Sequence, residues 1–141
     1  MQRHASAVWQ GTLKEGKGTV STESGVLKQT AYSFAKRFGN EAGTNPEELI
    51  AAAHAGCFSM AFSGKLTAAG FTPAQISTKA NLTFEQVESA WTITTIHLDM
   101  TAKAPGIDQA KFEALANEAK ATCPVSRLLN AKIILNAKLE A

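Results

Sequence analysis

The chain has 141 residues and a formal net charge of +2, from 14 Lys and Arg against 12 Asp and Glu distributed with mixed sign. That length predicts one domain, residues 1–141, with an ordinary core, and the near balance of charge excludes a basic footprint for nucleic acid or anionic lipid. The opening stretch MQRHASAVWQ lacks the apolar centre of a signal peptide, and no uninterrupted apolar run reaches bilayer length, so the expected location is cytoplasmic with no membrane partner.

Residues 4–38 alternate apolar and polar side chains between glycines. ASAVWQGTL, KEGKG, TVSTESG and TAYSFAKRF predict a hairpin followed by a third strand, with the Gly16 and Gly18 region as the first turn. GNEAGTNP is a loop by composition. Asn45 is a good N-cap, Pro46 suits the first helical position and Glu48 stands three residues after the cap, so a helix starts here and runs to Gly70. STKANLTFEQV and AWTITTIHLDMTAKA alternate with period two and predict a second hairpin. Helical spacing begins near Asp108, PVSRLLNA forms a short further helix, and KIILNAKLE a last strand. The order βββ, α, ββ, αα, β predicts an α+β fold rather than a parallel βαβ sheet. The chain shows no internal repeat, low-complexity stretch or linker.

Small residues dominate the helix from Leu49 to Gly64: Ala51, Ala52, Ala53, Ala55, Gly56, Ala61 and Gly64. A helix apolar around its circumference has to be surrounded by protein, and a small-residue surface admits another backbone closely. Either a second copy of the helix covers one side, giving a symmetric homodimer, or the chain's own sheet and later helices wrap it.

The same helix carries His54 and one of only two cysteines, Cys57. A lone Cys in such a helix is ordinarily a small buried hydrophobe. Cys123 changes that reading. In ATCPVSRLL, Pro124 at a first helical position makes Cys123 the cap residue, with its sulfur near unpaired backbone N–H groups that favour a thiolate. Cys57, about three turns into its helix, has no such benefit and needs a cation from elsewhere. Lys36, Arg37 and Lys65 are the basic candidates; Arg37 is the best placed, since its guanidinium stays charged when partly buried. His54 stands three residues before Cys57 on one helical face. The pair reads as nucleophile and base, as two metal ligands with no strong third donor other than Cys123, or as a cysteine beside a core or interface histidine bonded to a carbonyl. His97 reads as a strand residue facing water, and Trp9 and Trp91 as core or rim aromatics.

GKGTVSTESGVL, RFGNEAGTNPEELIAAAHAGCFSMAFS and CPVS together closely resemble the osmotically inducible protein C (OsmC) family, on the OsmC branch rather than the organic hydroperoxide resistance branch, over essentially the whole chain. The resemblance implies an intertwined α+β homodimer, with antiparallel sheets packed around a long central apolar helix and two active sites at the interface. It implies a thiol-dependent peroxidase that acts in oxidative and osmotic stress defence and reduces organic hydroperoxides and, less well, hydrogen peroxide. By resemblance Cys57 is the peroxidatic cysteine, Cys123 resolves it as a disulfide, and Arg37 with Glu47 forms the ion pair that activates the thiolate. A small dithiol or dithiol protein is the implied reductant, and no metal or other cofactor is called for. Gly56 departs from the alanine common before the cysteine in that family, at a cost of about 1 kcal/mol of helix propensity.

Glu47 precedes Cys57 by ten residues, roughly 15 Å along a straight helix and about 80° around it. The two cannot serve one site within one helix, so the roles implied by resemblance require a composite site. The competing readings are a metal-binding protein and a purely structural or stress-binding module.

Overall fold

The computed structural model describes residues 1–141, which gather into two compact units, Met1–Leu49 and Ile50–Ala141. In the first, β1 (Ala5–Gln10), β2 (Lys17–Thr22) and β3 (Thr30–Tyr32) form an antiparallel sheet in the order β1-β2-β3. The first turn spans residues 11–16, so the expected Gly16 lies in it, its N–H donating to the Thr12 carbonyl at 2.8 Å, while the expected Gly18 does not. Strand β1 pairs out to Gln10 and β2 from Lys17, and Gly18 lies inside β2 opposite both Trp9 and Tyr32. A Cβ at Gly18 would fall 2.5 Å from ring atoms of each, so this glycine admits two aromatic rings rather than a reversal of the chain.

The expected third strand also divides. Only Thr30–Tyr32 is extended; Ser33 then caps a short helix, α1 (Phe34–Phe38), its hydroxyl accepting from the Lys36 N–H at 3.2 Å. The segment TAYSFAKRF satisfies period two, but the serine cap and the pairing of Phe34 with Phe38 four residues on, ring centroids 4.8 Å apart, favour the helix.

Helix α2 (Pro46–Ala68) begins where its capping signals place it, with Asn45 Oδ1 accepting from the Glu48 N–H at 2.8 Å. It stops short of the expected Gly70. That glycine takes φ +88° just beyond the end, its N–H reaching the Thr67 carbonyl while the Phe71 N–H reaches Leu66, and the pair of bonds closes the last turn. With 23 residues and a mean hydropathy of 1.2, α2 is long and apolar enough to cross a bilayer by length and composition. His54, Ser59 and Ser63 interrupt the apolar run without taking its mean below that level. In the fold, one row of α2, His54, Phe58, Phe62 and Leu66, is buried in the protein. The side bearing Ala52, Ala53, Gly56, Met60 and Gly64 is exposed, and a Cβ on Gly56 or Gly64 would meet nothing within 4 Å.

In the second unit β4 (Gln75–Val87) and β5 (Ala90–Lys103) form the expected hairpin, closed by Glu88 and Ser89, both at positive φ as a two-residue turn requires. The last strand, β6 (Lys132–Glu140), runs parallel to β5 and is reached through α3 (Gln109–Thr122) and α4 (Pro124–Leu128). The architecture is α+β as expected, yet one strand pair is a parallel crossover, which alternation within a strand cannot distinguish from an antiparallel neighbour. Ile96, Leu98, Met100 and Ala102 alternate inward from β5 into a core shared with Phe58, Phe62 and Leu66 of α2 and Phe112, Ala116 and Ala119 of α3.

Phe62 stands at the centre of this core, stacked on Phe58 with centroids 6.2 Å apart and meeting Phe112 edge-on at 5.4 Å. Phe62→Ala is therefore expected to lower unfolding stability by about 3–5 kcal/mol. Chemical denaturation monitored by circular dichroism measures it, and a loss below about 1 kcal/mol would show that the core is organised elsewhere.

Candidate redox site

Cys57 lies in the middle of α2 and is half-buried; Cys123 is fully buried between α3 and α4. Cys123 closes one helix and opens the next: its N–H donates to the Ala119 carbonyl at 2.9 Å, and its own carbonyl accepts from the Arg127 N–H at 3.0 Å. Pro124 at the first position of α4 accounts for the break, because the residue before a proline is driven out of the helical region, and Cys123 sits at φ −56°, ψ 125°. This kink brings the sulfur of Cys123 to 3.1 Å from that of Cys57, with both cysteines free.

Burial pushes the Cys57 thiol up from its ordinary range; a hydrogen bond from the Val125 backbone N–H pulls it down, and the adjacent Cys123 sulfur pushes it up again. The net direction is upward, so these groups alone keep Cys57 protonated. The start of α4 was expected to favour a thiolate at Cys123. That cap residue makes no side-chain cap bond; its sulfur is turned toward Cys57, and the nearby Val125 N–H serves Cys57 instead. No sequence letter signals that donor, since every residue but proline carries it.

His54 is fully buried, its pKa lowered by desolvation. Its Nε2 lies 2.8 Å from the Ser126 hydroxyl rather than at a carbonyl, and its Nδ1 has no partner. Ser126 escaped sequence reasoning, although its place three residues after Cys123 mirrors that of His54 three residues before Cys57. No group of three or more His, Cys, Asp or Glu side chains comes together at metal-binding spacing.

In the first unit, α1 presents Arg37 to Glu47. Nη2 lies 2.7 Å from Oε1, and Nε lies 3.1 and 3.2 Å from the two carboxylate oxygens. This bidentate geometry fixes the guanidinium plane, and the side chains are 34% and 11% exposed. Asn45 aligns the two elements: while its Oδ1 caps α2, its Nδ2 donates to the Lys36 carbonyl of α1 at 3.4 Å. An aspartate could cap but could not make the second bond. The other basic candidates are engaged with Glu41 (Lys36) and Glu118 (Lys65). Arg37 also lies 5.2 Å over the Phe38 ring and borders a cavity of about 190 Å³ with Trp9, Leu13, Tyr32, Ser33, Phe34 and Phe38. Trp91 is half exposed and packs on Phe84, while His97 is a half-exposed strand residue 3.5 Å from Asp99.

The fold is that of the OsmC and organic hydroperoxide resistance proteins. It resembles an OsmC like protein from Mycoplasma pneumoniae with a TM-score of 0.77 at 16% identity, over 100% of this chain and 99% of that one. It also resembles an organic hydroperoxide resistance protein from Elizabethkingia anophelis with a TM-score of 0.75 at 23% identity, over 99% of both chains. The sequence model of the OsmC-like protein family matches residues 39–138, and the chain belongs to that family. It is 50% identical over 141 residues to the peroxiredoxin OsmC of Escherichia coli (strain K12), covering 100% of this chain and 99% of that one. It is 29% identical over 96 residues to an organic hydroperoxide resistance protein of Xanthomonas axonopodis pv. citri, covering 64% of this chain and 63% of that one.

A disulfide needs sulfurs about 2.05 Å apart, so the pair at 3.1 Å has about 1 Å to close. Mild oxidation is expected to link Cys57 to Cys123 within one chain. Non-reducing peptide mapping of mixed isotope-labelled and unlabelled protein checks this, since an interchain link would join peptides of different label.

Proposed function

We propose that this chain is a two-cysteine peroxidase in which Cys57 reduces organic hydroperoxides and Cys123 resolves the product. Peroxidase activity is the part carried by relationship: a protein 50% identical across the full chain is named a peroxiredoxin, and this chain is a peroxidase of the same family. A more distant relative is named for organic hydroperoxide resistance, which supports that substrate class. The observation that carries the mechanism is the 3.1 Å approach of the two sulfurs.

In the proposed cycle the Cys57 thiolate attacks one peroxide oxygen, the O–O bond breaks, and the alcohol leaves after taking up a proton. The resulting sulfenic acid condenses with the Cys123 thiol, releasing water and forming the disulfide. A small dithiol or dithiol protein then returns both thiols by exchange. Apolar substrates suit a half-buried sulfur, and the aromatic cavity beside Arg37 supports a preference for organic hydroperoxides over hydrogen peroxide.

Cys57 requires a cation, because burial and the neighbouring sulfur both oppose its charge and one backbone N–H is the only opposing influence among these groups. In our reading Arg37 supplies it, held by Glu47, and donates hydrogen bonds to the peroxide oxygens. Glu47 and Cys57 are ten residues apart on one continuous helix, about 15 Å of rise. The ion pair therefore serves a cysteine of a second copy. The exposed small-residue side of α2 supports a homodimer in which two such helices pack together.

Cys57→Ser is expected to abolish hydroperoxide reduction. Cys123→Ser should still consume about one equivalent and stop with Cys57 as a sulfenic or more oxidised acid, read by intact-protein mass spectrometry. The opposite pattern exchanges the roles of the two thiols.

The composite site is tested by mixing. Arg37→Ala and Cys57→Ser homodimers should each be nearly inactive. Unfolded together and refolded, about half the dimers are mixed, and each mixed dimer holds one intact site if Arg37 acts across the interface, so activity should return to roughly a quarter of wild type. Activity that stays at background, with mixed dimers verified by native mass spectrometry, assigns Arg37 to its own subunit.

A further inference from the structure

His54 is the single polar side chain in the buried set, fully enclosed in a row otherwise made of Phe58, Phe62 and Leu66. An apolar side chain at this position would leave no buried nitrogen unpaired, whereas Nδ1 of His54 has no partner. Core packing alone therefore gives no reason for a histidine here. Its placement does. His54 is three residues before Cys57 on α2, Ser126 is three residues after Cys123 on α4, and the two helices are joined by two rungs: sulfur to sulfur at 3.1 Å and imidazole to hydroxyl at 2.8 Å. Val125, adjacent to Ser126, gives its backbone N–H to the Cys57 sulfur.

Besides these bonds, helix α4 is held by Val125 and, at its C-terminal end, Leu129, both only partly buried against the core. It is five residues long with none of them fully buried, and Leu128 is 79% exposed. Segments with so little burial open readily. The hydrogen bond from its first turn to a fully enclosed side chain adds an anchor to that shallow packing.

We propose that the His54–Ser126 hydrogen bond is a positioning clamp that holds the first turn of α4 on α2, keeping Cys123 within reach of an oxidised Cys57. This rests on the assignment of Cys57 as the reacting thiol and Cys123 as its resolving partner. Both clamp residues act through the cysteines and touch no substrate. Once Cys57 is a sulfenic acid it has two fates. It condenses with the Cys123 thiol, losing water and forming the S–S bond, or it reacts with a second hydroperoxide, which becomes an alcohol while the sulfur becomes a sulfinic acid. The clamp favours the first fate by raising the fraction of time Cys123 is in place.

The test uses full-length reduced protein treated with excess alkyl hydroperoxide without reductant, with peptide mass spectrometry measuring Cys57 sulfinic acid against the Cys57–Cys123 disulfide. Ser126→Ala is expected to raise that ratio about tenfold, the population change one ordinary hydrogen bond sustains. Ser126→Thr, which keeps the hydroxyl, should return it toward wild type. His54→Phe fills the buried row without the imidazole and should shift the ratio as Ser126→Ala does. A wild-type ratio in either Ser126→Ala or His54→Phe overturns the clamp, as does a rise that Ser126→Thr leaves uncorrected, because that rise reports packing alone. Failure of the clamp is separable from failure of the peroxidase reading: in the first case wild type still forms the disulfide, and in the second wild type yields neither product.

Discussion

A sulfur held in an apolar helix resists ionisation, and much of the site's arrangement follows from that constraint. Burial is the largest influence on Cys57, and the second thiol at 3.1 Å adds to it in the same direction. The one opposing group among its immediate neighbours is the Val125 N–H, a neutral dipole that stabilises an anion without supplying a countercharge. In the proposed site the missing component is a cation, and the bidentate Arg37–Glu47 pair suits that role: guanidinium is delocalised and weakly hydrated, so it tolerates partial burial better than an ammonium, and the carboxylate fixes its plane. The apolar surroundings that make the cysteine reluctant to ionise also strengthen any charge interaction brought to it.

The second thiol owes its place to a covalent constraint. Proline at position 124 denies the chain a helical N–H and expels the preceding residue from the helical region, so the break between α3 and α4 falls at Cys123. A cysteine within a continuous helix would have its direction set by that helix's packing. At a forced break, its sulfur is directed across to α2 while the backbone satisfies both helices through Ala119 and Arg127. The crossover from β5 to β6 makes this possible, because it carries α3 and α4 as one connection between neighbouring parallel strands.

What was legible in the sequence was mostly local. The start of α2 is written in Asn45, Pro46 and Glu48, the start of α3 in Asp108, whose carboxylate accepts from the Lys111 N–H at 2.8 Å, and the β4–β5 hairpin in its alternation. The two thiols stood out because there are only two. Arg37 was singled out by its charge and its position before the α2 loop, whereas its pairing with Glu47 came from family resemblance, and the structure brings the two within 2.7 Å. Non-local pairings were invisible. Nothing in KIILNAKLE says which neighbour it takes or in which direction, nothing in TAYSFAKRF decides between two periods until the serine cap is weighed, and Gly18 resembles a turn glycine until Trp9 and Tyr32 close over it. Val125 and Ser126 fall in the same class: one acts through a backbone group that every ordinary residue possesses, the other through a partner 72 residues away.

The two sides of α2 answer different demands. The inward row is large and tightly packed, ring against ring, and its only polar member reaches for α4. The outward side is small, with Gly56 immediately before Cys57 and Met60 left 79% exposed. Glycine within a helix destabilises it by about 1 kcal/mol relative to alanine, and nothing inside the chain contacts a Cβ at that point to require its absence. Alanine would fit there within the chain, and this open side is where a second backbone would pack in the proposed dimer. In the proposed dimer that approach hides the exposed apolar side and brings a guanidinium to the thiol that needs it. Association would then complete the core and the active site in one step, and a separated monomer would carry an uncovered helix together with a protonated, unreactive Cys57.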